Sequence, residues 1–333
     1  MSDPLLAIRD LSLGLRVDGA MRPILENVNL TMSRGEAFGL VGESGSGKSM
    51  TVRCITRLLP PGAAVGGEIV LNGRSILPMS RRELRQVRAQ SVQMIFQDPR
   101  AHINPVRTVG DFLTEALRSV QGFNAKVAEK RVIEILESVW ISDPKRRLKQ
   151  YPHELSGGLL QRVMIASALA AEPELLIADE ATTSLDVTTQ AEVVALLDEL
   201  RRERKLGLLF ITHDLELAAA ICDRTGVMYA GSLVEVQRSA TLHERPLHPY
   251  TLALLAARPS LAQRARLMTV AGSPVSLAEA PPGCPFVPRC AYQQPECHAA
   301  RPRPRPFGEG ETACLRVGDV LSTSRTLQDE VPS

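Results

Sequence analysis

Residues 42–49 read GESGSGKS, directly after the apolar run Ala37-Phe-Gly-Leu-Val41 and directly before the stretch Met50 to Leu59. The apolar run predicts a buried strand and the stretch after the loop predicts a helix, the context that a phosphate-binding loop requires. Glycines let such a loop wrap closely, so that backbone N–H groups point inward at phosphate oxygens. The helix that follows offers its positive N-terminal end to the anion. Lys48 then reaches the β- and γ-phosphates of a nucleoside triphosphate, and the Ser49 hydroxyl ligates Mg²⁺. Gly42, Glu43, Ser44, Gly45, Ser46, Gly47, Lys48, Ser49 and Met50 are accordingly the candidate phosphate-binding residues.

Further segments follow in a fixed order. Gln97 closes the run Val92-Gln-Met-Ile-Phe-Gln97, and Leu155-Ser-Gly-Gly158 opens a helical stretch. Leu175-Leu-Ile-Ala-Asp179-Glu180 is an apolar strand ending in two carboxylates. Ser184-Leu-Asp186 follows, and Leu208-Leu-Phe-Ile-Thr-His213 is another apolar strand, ending in a histidine. The set resembles the nucleotide-binding subunit of ATP-binding cassette (ABC) transporters. Four phrases narrow the resemblance to the oligopeptide/dipeptide importer branch: GESGSGKS, IFQDPRAHINP at 95–105, LHPYTLALLAARP at 247–259 and CPFVPRC at 284–290. It runs from about residue 5 to about residue 316.

The resemblance implies a division of labour. Asp179 holds Mg²⁺ and stays ionised, while Glu180 polarises the attacking water as a general base. His213 matches the switch histidine that contacts the γ-phosphate. Gln97 matches the residue that reaches the metal and the water and links the site to the membrane-domain interface. Asp186 matches a residue that bridges two subunits. Ser156, Gly157 and Gly158 offer a hydroxyl and N–H groups at a helix start, an anion-binding arrangement. In the family they close over ATP bound to the opposite subunit, so ATP joins two subunits. One phosphate loop and one LSGG in the chain imply a dimer, and in this branch the second ATPase subunit is typically a different chain.

The chain departs from the family pattern at three places. Ala181 stands where Pro usually follows the catalytic Glu, and Leu159-Leu160 is an unusual filling after LSGG. Leu15 stands roughly where an aromatic often stacks on adenine, so adenine would meet an aliphatic surface. No catalytic group is missing, which implies competence for hydrolysis.

Of the six cysteines, Cys54 and Cys222 read as small buried residues. The other four, Cys284, Cys290, Cys297 and Cys314, lie in a Pro-rich tail of an otherwise cysteine-poor chain. Disulfides do not suit the reducing compartment of a cytosolic ATPase. A Cys₄ zinc site usually shows close pairs that are absent here. A [4Fe–4S] cluster takes four thiolates at wider spacing, and the importer family associates one with this tail. Cluster, zinc and free packing thiols all stay open.

The expected architecture is α/β. A P-loop NTPase (RecA-like) ABC ATPase core with an antiparallel β edge takes residues 1–97 and 166–240, and a helical subdomain with the signature segment takes 98–165. A C-terminal extension with the four cysteines takes 241–318, and a polar tail expected to be unstructured takes 319–333. Arg301-Pro-Arg-Pro-Arg-Pro306 reads as an extended, stiff connector. The net charge of +2 offers no case for nucleic-acid binding. The basic stretch Arg81 to Arg88 reads as a solvated helix face. No signal peptide and no stretch near the roughly twenty apolar residues of a membrane span are evident.

The family reading thus implies an ATPase peripheral to the cytoplasmic face of the inner membrane. Its partners would be a second ATPase subunit, two permease subunits and, indirectly, an extracytoplasmic solute-binding protein. Its cargo would be di- or oligopeptides, although related ATPases serve importers of nickel chelates, opines and sugars. A soluble ABC ATPase of DNA, ribosome or iron–sulfur assembly is the remaining alternative.

Overall fold

A computed structural model describes residues 3–183, 185–257, 270 and 272–322. In chain order its strands are β1 (Leu6–Val17), β2 (Ala20–Met32), β3 (Ala37–Val41), β4 (Ala64–Leu71), β5 (Arg74–Ser75) and β6 (Val92–Ile95). They continue with β7 (Leu175–Asp179), β8 (Gly207–Thr212), β9 (Arg224–Tyr229), β10 (Ser232–Arg238), β11 (Arg305–Phe307) and β12 (Gly310–Thr312). The chain folds as two compact units. One comprises Met1–Leu5, Met32–Ala37 and Leu71–Ile211; the other comprises Leu6–Thr31, Phe38–Val70 and Thr212–Ser333.

In the first unit β6, β7 and β8 run parallel. Every residue of β7 and β8 is buried, as expected of strands covered on both faces. Beside them three helices pack on one another: Val109–Ser119, Ala125–Ser138 and Gly157–Leu169. Each is started by a side chain that accepts a backbone N–H of the first turn. Thr108 accepts from Asp111, Asn124 from Val127, and Ser156 from Leu159. Their apolar stripes, with Leu113, Leu117, Val132, Ile135 and Val163 among them, are buried together. The second helix ends at Ser138, and two residues on Trp140 takes a left-handed φ of 58°, which no helix continues through. The basic stretch from Arg81 forms the helix Arg81–Gln90, closed by a Ser80/Glu83 capping box, with only Leu84 and Val87 buried.

The second unit carries two sheets. β1 and β2 are joined by Asp18-Gly19, a link short enough only for an antiparallel pair, and β4 lies beside β1. In the other sheet β3 runs parallel to β9, and β9, β10, β12 and β11 follow antiparallel. β3 is wholly buried. At Gly39 a Cβ would meet Cys222 Sγ at 3.2 Å and Ala218 Cβ at 3.3 Å, so glycine lets the helix Leu215–Ile221 press on the strand. Cys54 and Cys222 are both buried. The helix after the phosphate loop spans Lys48–Thr56, earlier at both ends than the sequence indicates, because Arg57 turns left-handed and donates its N–H back to Cys54 O.

The Pro-rich segment is more than a connector. Arg305–Phe307 is strand β11, and it sits at the sheet edge, where proline's missing N–H costs no ladder bond. Its partner β12 pairs with β10 through Glu235 and Val236. The extension is thereby built into the sheet that carries β3. Of the tail expected to be unstructured, 323–333 lies outside the described residues, and 319–322 belongs to a helical turn over 317–322.

Candidate nucleotide site

In the second unit β3 runs into the phosphate loop, and the loop fits its surroundings only with glycine. A Cβ on Gly42 would meet Met228 O at 2.3 Å, and one on Gly47 would meet Leu25 Cδ2 at 2.6 Å. Gly45 and Gly47 hold φ of 79° and 107°, a region glycine enters without strain. Gly231 N–H donates to Ser46 O at 2.9 Å, pinning the loop to the β9–β10 turn. Lys48 is buried, and its ammonium donates to Gly42 O at 2.8 Å and Glu43 O at 3.0 Å, curling the loop around the charge. Ser46 Oγ is buried without a hydrogen-bond partner, a cost that an anionic oxygen in the cradle would remove. Ser44 and Gly45 are exposed at the loop tip, and Ser49 and Met50 are half-buried in the first helical turn. Ser46 and the glycine cradle fit a bound triphosphate. Leu15, on β1, is half-buried. His213 is exposed just past β8, and Asp214 after it caps the helix Leu215–Ile221.

In the first unit the two adjacent carboxylates stand at a backbone turn. Asp179 ends β7 and is buried; Glu180 takes a left-handed φ of 49° and is half-buried. A non-glycine residue with positive φ carries strain, which concentrates at functional positions. The strain is held by Glu180 N–H donating to Ile211 O at 3.0 Å and by Thr183 N–H donating to Glu180 O at 3.2 Å. Gln97, exposed beyond β6, donates its Nε2 to Glu180 Oε2 at 3.0 Å. Two residues 83 apart in sequence are thus brought together at one carboxylate. Ala181 is buried beside them.

The signature segment lies in the same unit. Ser156 and Gly157 are exposed at the start of the helix Gly157–Leu169, with N–H groups free of Cβ crowding at Gly157. Gly158 answers a packing demand: a Cβ there would meet Thr189 Cγ2 at 2.6 Å. Asp186 has a local job, capping the helix Val187–Arg204. Its carboxylate accepts from Thr189 N–H at 3.0 Å and Thr189 Oγ1–H at 2.8 Å, and these bonds lower its pKa. Ser184 lies outside the described residues.

All six cysteines are free thiols. Cys284 and Cys290 are half-buried and pack against the core around Tyr229, Tyr250 and Phe286; Cys297 and Cys314 are buried. Burial pushes the Cys290 thiol up to about 11 and Cys314 up to about 12, with the neighbouring tail thiols adding to both. Among the described residues no group of three or more His, Cys, Asp or Glu side chains is placed to hold a metal ion.

Two contacts to the phosphate loop have no counterpart in the motif reading. Glu43 N–H donates to Tyr250 Oη at 2.9 Å, and Arg289 donates to both Glu43 carboxylate oxygens. The phrases LHPYT and CPFVPRC contain these residues. The sequence shows the phrases but not the contact.

A glycine-lined phosphate cradle after one buried parallel strand, and an adjacent carboxylate pair after another, are what a P-loop ATPase carries. The description "ABC transporter" matches residues 25–183, and "Oligopeptide/dipeptide transporter, C-terminal region" matches residues 234–297. The chain is 43% identical over 95% of its length to the oligopeptide transport ATP-binding protein OppD of Salmonella typhimurium, covering 95% of that protein. It is 44% identical over 90% of its length to a putative peptide import ATP-binding protein of Brucella abortus, covering 91% of that one. The bacterial ABC transporter cassette MJ0796, solved as a dimer, matches with a TM-score of 0.63 and 26% identity over 70% of this chain and 98% of that one. The protein belongs to the ATP-binding subunits of ABC transporters, in the oligopeptide/dipeptide group.

Proposed function

We propose that this chain is the ATP-hydrolysing subunit of a peptide importer. The similarity to peptide-import ATPases over nearly the whole chain, C-terminal extension included, carries the cargo class. The hydrogen bond from Gln97 to Glu180 carries the catalytic assignment.

In the second unit the loop from Gly42 to Met50 takes the phosphates, with Lys48 on the β- and γ-phosphates and Ser46 Oγ released from its unpaired state. His213 contacts the γ-phosphate. In the first unit Glu180 takes up the proton of the attacking water while Gln97 orients the carboxylate and the water. Asp179, buried at the strand end, stays a metal ligand, and Glu180, half-buried at the left-handed turn, acts as base. Mg²⁺ would neutralise charge on the phosphates; the proposed ligands are Ser49 in the second unit, and Asp179 and Gln97 in the first. Ser156, Gly157 and Gly158 present a helix start to ATP on a second ATPase subunit, with Asp186 at that boundary.

ATP-driven closure of this pair would move two permease subunits, fed by a solute-binding protein that selects the cargo. No described helix is long and apolar enough to cross a membrane, which supports peripheral attachment through the permeases at the cytoplasmic face.

For the tail, a [4Fe–4S] cluster on Cys284, Cys290, Cys297 and Cys314 is the reading to be tested, since four thiolates are the ligand set it takes. The thiols lie within electrostatic reach of one another, and Arg316 N–H donates to Cys314 Sγ at 3.2 Å. Their placement speaks against a formed centre, since no three are set as a metal-binding group. No step of hydrolysis runs through them. Iron, sulfide and zinc analysis of anaerobically purified protein decides: about four irons and four sulfides per chain establish the cluster, and neither metal leaves packing thiols.

Glu180→Gln tests the central assignment. It keeps the shape and loses the base, so it should trap an ATP-bound dimer and abolish turnover. Normal hydrolysis in that variant removes Glu180 from its role.

A further inference from the structure

Against the second residue of the phosphate loop stands a buried cation. Arg289 has a side chain only 2% exposed, and its Nη1 and Nη2 donate to the two Glu43 carboxylate oxygens at 2.7 and 3.0 Å. The guanidinium sits 5.8 Å from the Tyr229 ring centre and 5.9 Å from that of Phe286. These contacts leave it little freedom to turn.

Glu43 is the second residue of the loop, and each of its polar groups is engaged. Its N–H donates to Tyr250 Oη at 2.9 Å. Its carbonyl accepts from Ser46 N–H at 3.2 Å and from the Lys48 ammonium at 3.0 Å. Its carboxylate takes the Arg289 fork. Glu43 is therefore the link between Lys48 on one side and Arg289 and Tyr250 on the other. Both of those residues come from the C-terminal extension. Tyr250 lies in the helix Pro249–Ala256, which His248 starts by accepting Tyr250 N–H at 3.1 Å. Arg289 lies in the 3₁₀ turn Val287–Arg289, fastened by Val287 N–H to Cys284 O and Cys290 N–H to Val287 O, both 3.1 Å.

A glycine-rich loop has much conformational freedom to lose when it closes on phosphate. Holding one of its residues by backbone and side chain together reduces that loss before the ligand arrives.

We propose that Arg289 and Tyr250 are positioning residues of the nucleotide site. They clamp Glu43, Glu43 holds Lys48, and the C-terminal extension thereby sets the affinity of the phosphate loop for nucleotide. The proposal rests on the reading of residues 42–50 as the ATP phosphate loop. It gives the extension a function in the ATPase cycle that requires no metal.

The test is a double-variant cycle on the full chain, read by calorimetric Kd for MgADP, by KM and kcat for ATP, and by melting temperature. Arg289→Met and Glu43→Gln should each raise Kd and KM about tenfold, and for Arg289→Met kcat at saturating ATP should stay within about threefold of the parent. The double variant should bind no more weakly than the weaker single one, because both break one link. Arg289→Lys keeps the charge but loses the planar fork, and should recover only part of the affinity. Tyr250→Phe should weaken binding by itself, since Glu43 N–H loses its acceptor. If Arg289→Met fails to fold, Arg289→Lys and Glu43→Gln carry the comparison. A merely structural role predicts a lower melting temperature with Kd within about twofold of the parent, and that result overturns the proposal, as do multiplying losses in the double variant. Failure of the unmodified chain to bind MgADP would instead remove the assignment of the loop.

Discussion

Gly158→Ala separates two reasons for a glycine in the signature segment, nucleotide contact and helix packing. The added Cβ meets Thr189 Cγ2 at 2.6 Å, more than half an ångström inside the tightest ordinary contact, while Thr189 Cβ and Oγ1 both stand at 3.8 Å. Thr189 has little freedom to rotate away, because its Oγ1 donates to Asp186 at 2.8 Å and its N–H donates to the same carboxylate. The helices Gly157–Leu169 and Val187–Arg204 must then move apart, or the Asp186 cap must break. Overpacking of this kind costs about 1–3 kcal/mol. The gain in helix propensity from Gly to Ala returns roughly 0.5–1 kcal/mol at most.

The net expectation is a loss of about 1–2 kcal/mol in urea unfolding of the full chain. Gly157→Ala is the control: its nearest neighbour is Leu185 Cδ2 at 3.9 Å, so folding should be unaffected. Loss of ATPase activity in Gly157→Ala would then report on ATP contact alone. Thr189→Ser removes the methyl that the new Cβ strikes and keeps the hydroxyl on Asp186. Gly158→Ala combined with Thr189→Ser should therefore be as stable as Thr189→Ser alone. Undiminished stability of Gly158→Ala, or no rescue by Thr189→Ser, refutes the packing account.

Two further outcomes follow from buried groups. His248 is fully enclosed, and burial lowers its pKa from 6.5 to about 3. A group whose folded pKa is depressed below its unfolded value withdraws its stability as pH falls between the two, here from 6.5 toward 3. Unfolding free energies of the parent and of His248→Asn, which keeps an acceptor for Tyr250 N–H, should converge by about 2 kcal/mol between pH 6.5 and 5. Glu235 acts in the opposite sense: burial raises it to about 7, against N–H donors from Leu247, His248 and Gln237. It is present in both proteins and cancels in the difference; parallel curves would show that His248 does not titrate as placed. With a maleimide under native conditions, Cys284 and Cys290 should react before Cys54, which is buried and raised to about 12. Mass spectrometry of the adducts reads the order, and early labelling of Cys54 contradicts it.

The local elements were legible because each rests on short-range rules. An apolar run, a glycine-rich loop and a helix start lie within twenty residues at Ala37–Thr56, and the structure repeats them with small shifts at the ends. The different tasks of Asp179 and Glu180 are what the family resemblance implies, and the strand end that suits them is visible in the sequence, although the left-handed φ of Glu180 is not. The proline-rich segment was misread as connector alone, since one edge strand of three residues has no periodicity to show. The tail cysteines announced themselves by count. Which core they pack against is a matter of long-range contacts.

By itself the amino-acid order determined the phosphate loop, the strand-end carboxylates, the signature helix start and the family to which they belong, because each is written within a few consecutive residues. Only the tertiary structure decided which contacts distant residues make with them. Gln97 meets Glu180 across 83 residues and Arg289 meets Glu43 across 246. Gly158 is held to glycine by a methyl on another helix. Such pairings depend on how strands and helices stack, and no periodicity within a single segment encodes them.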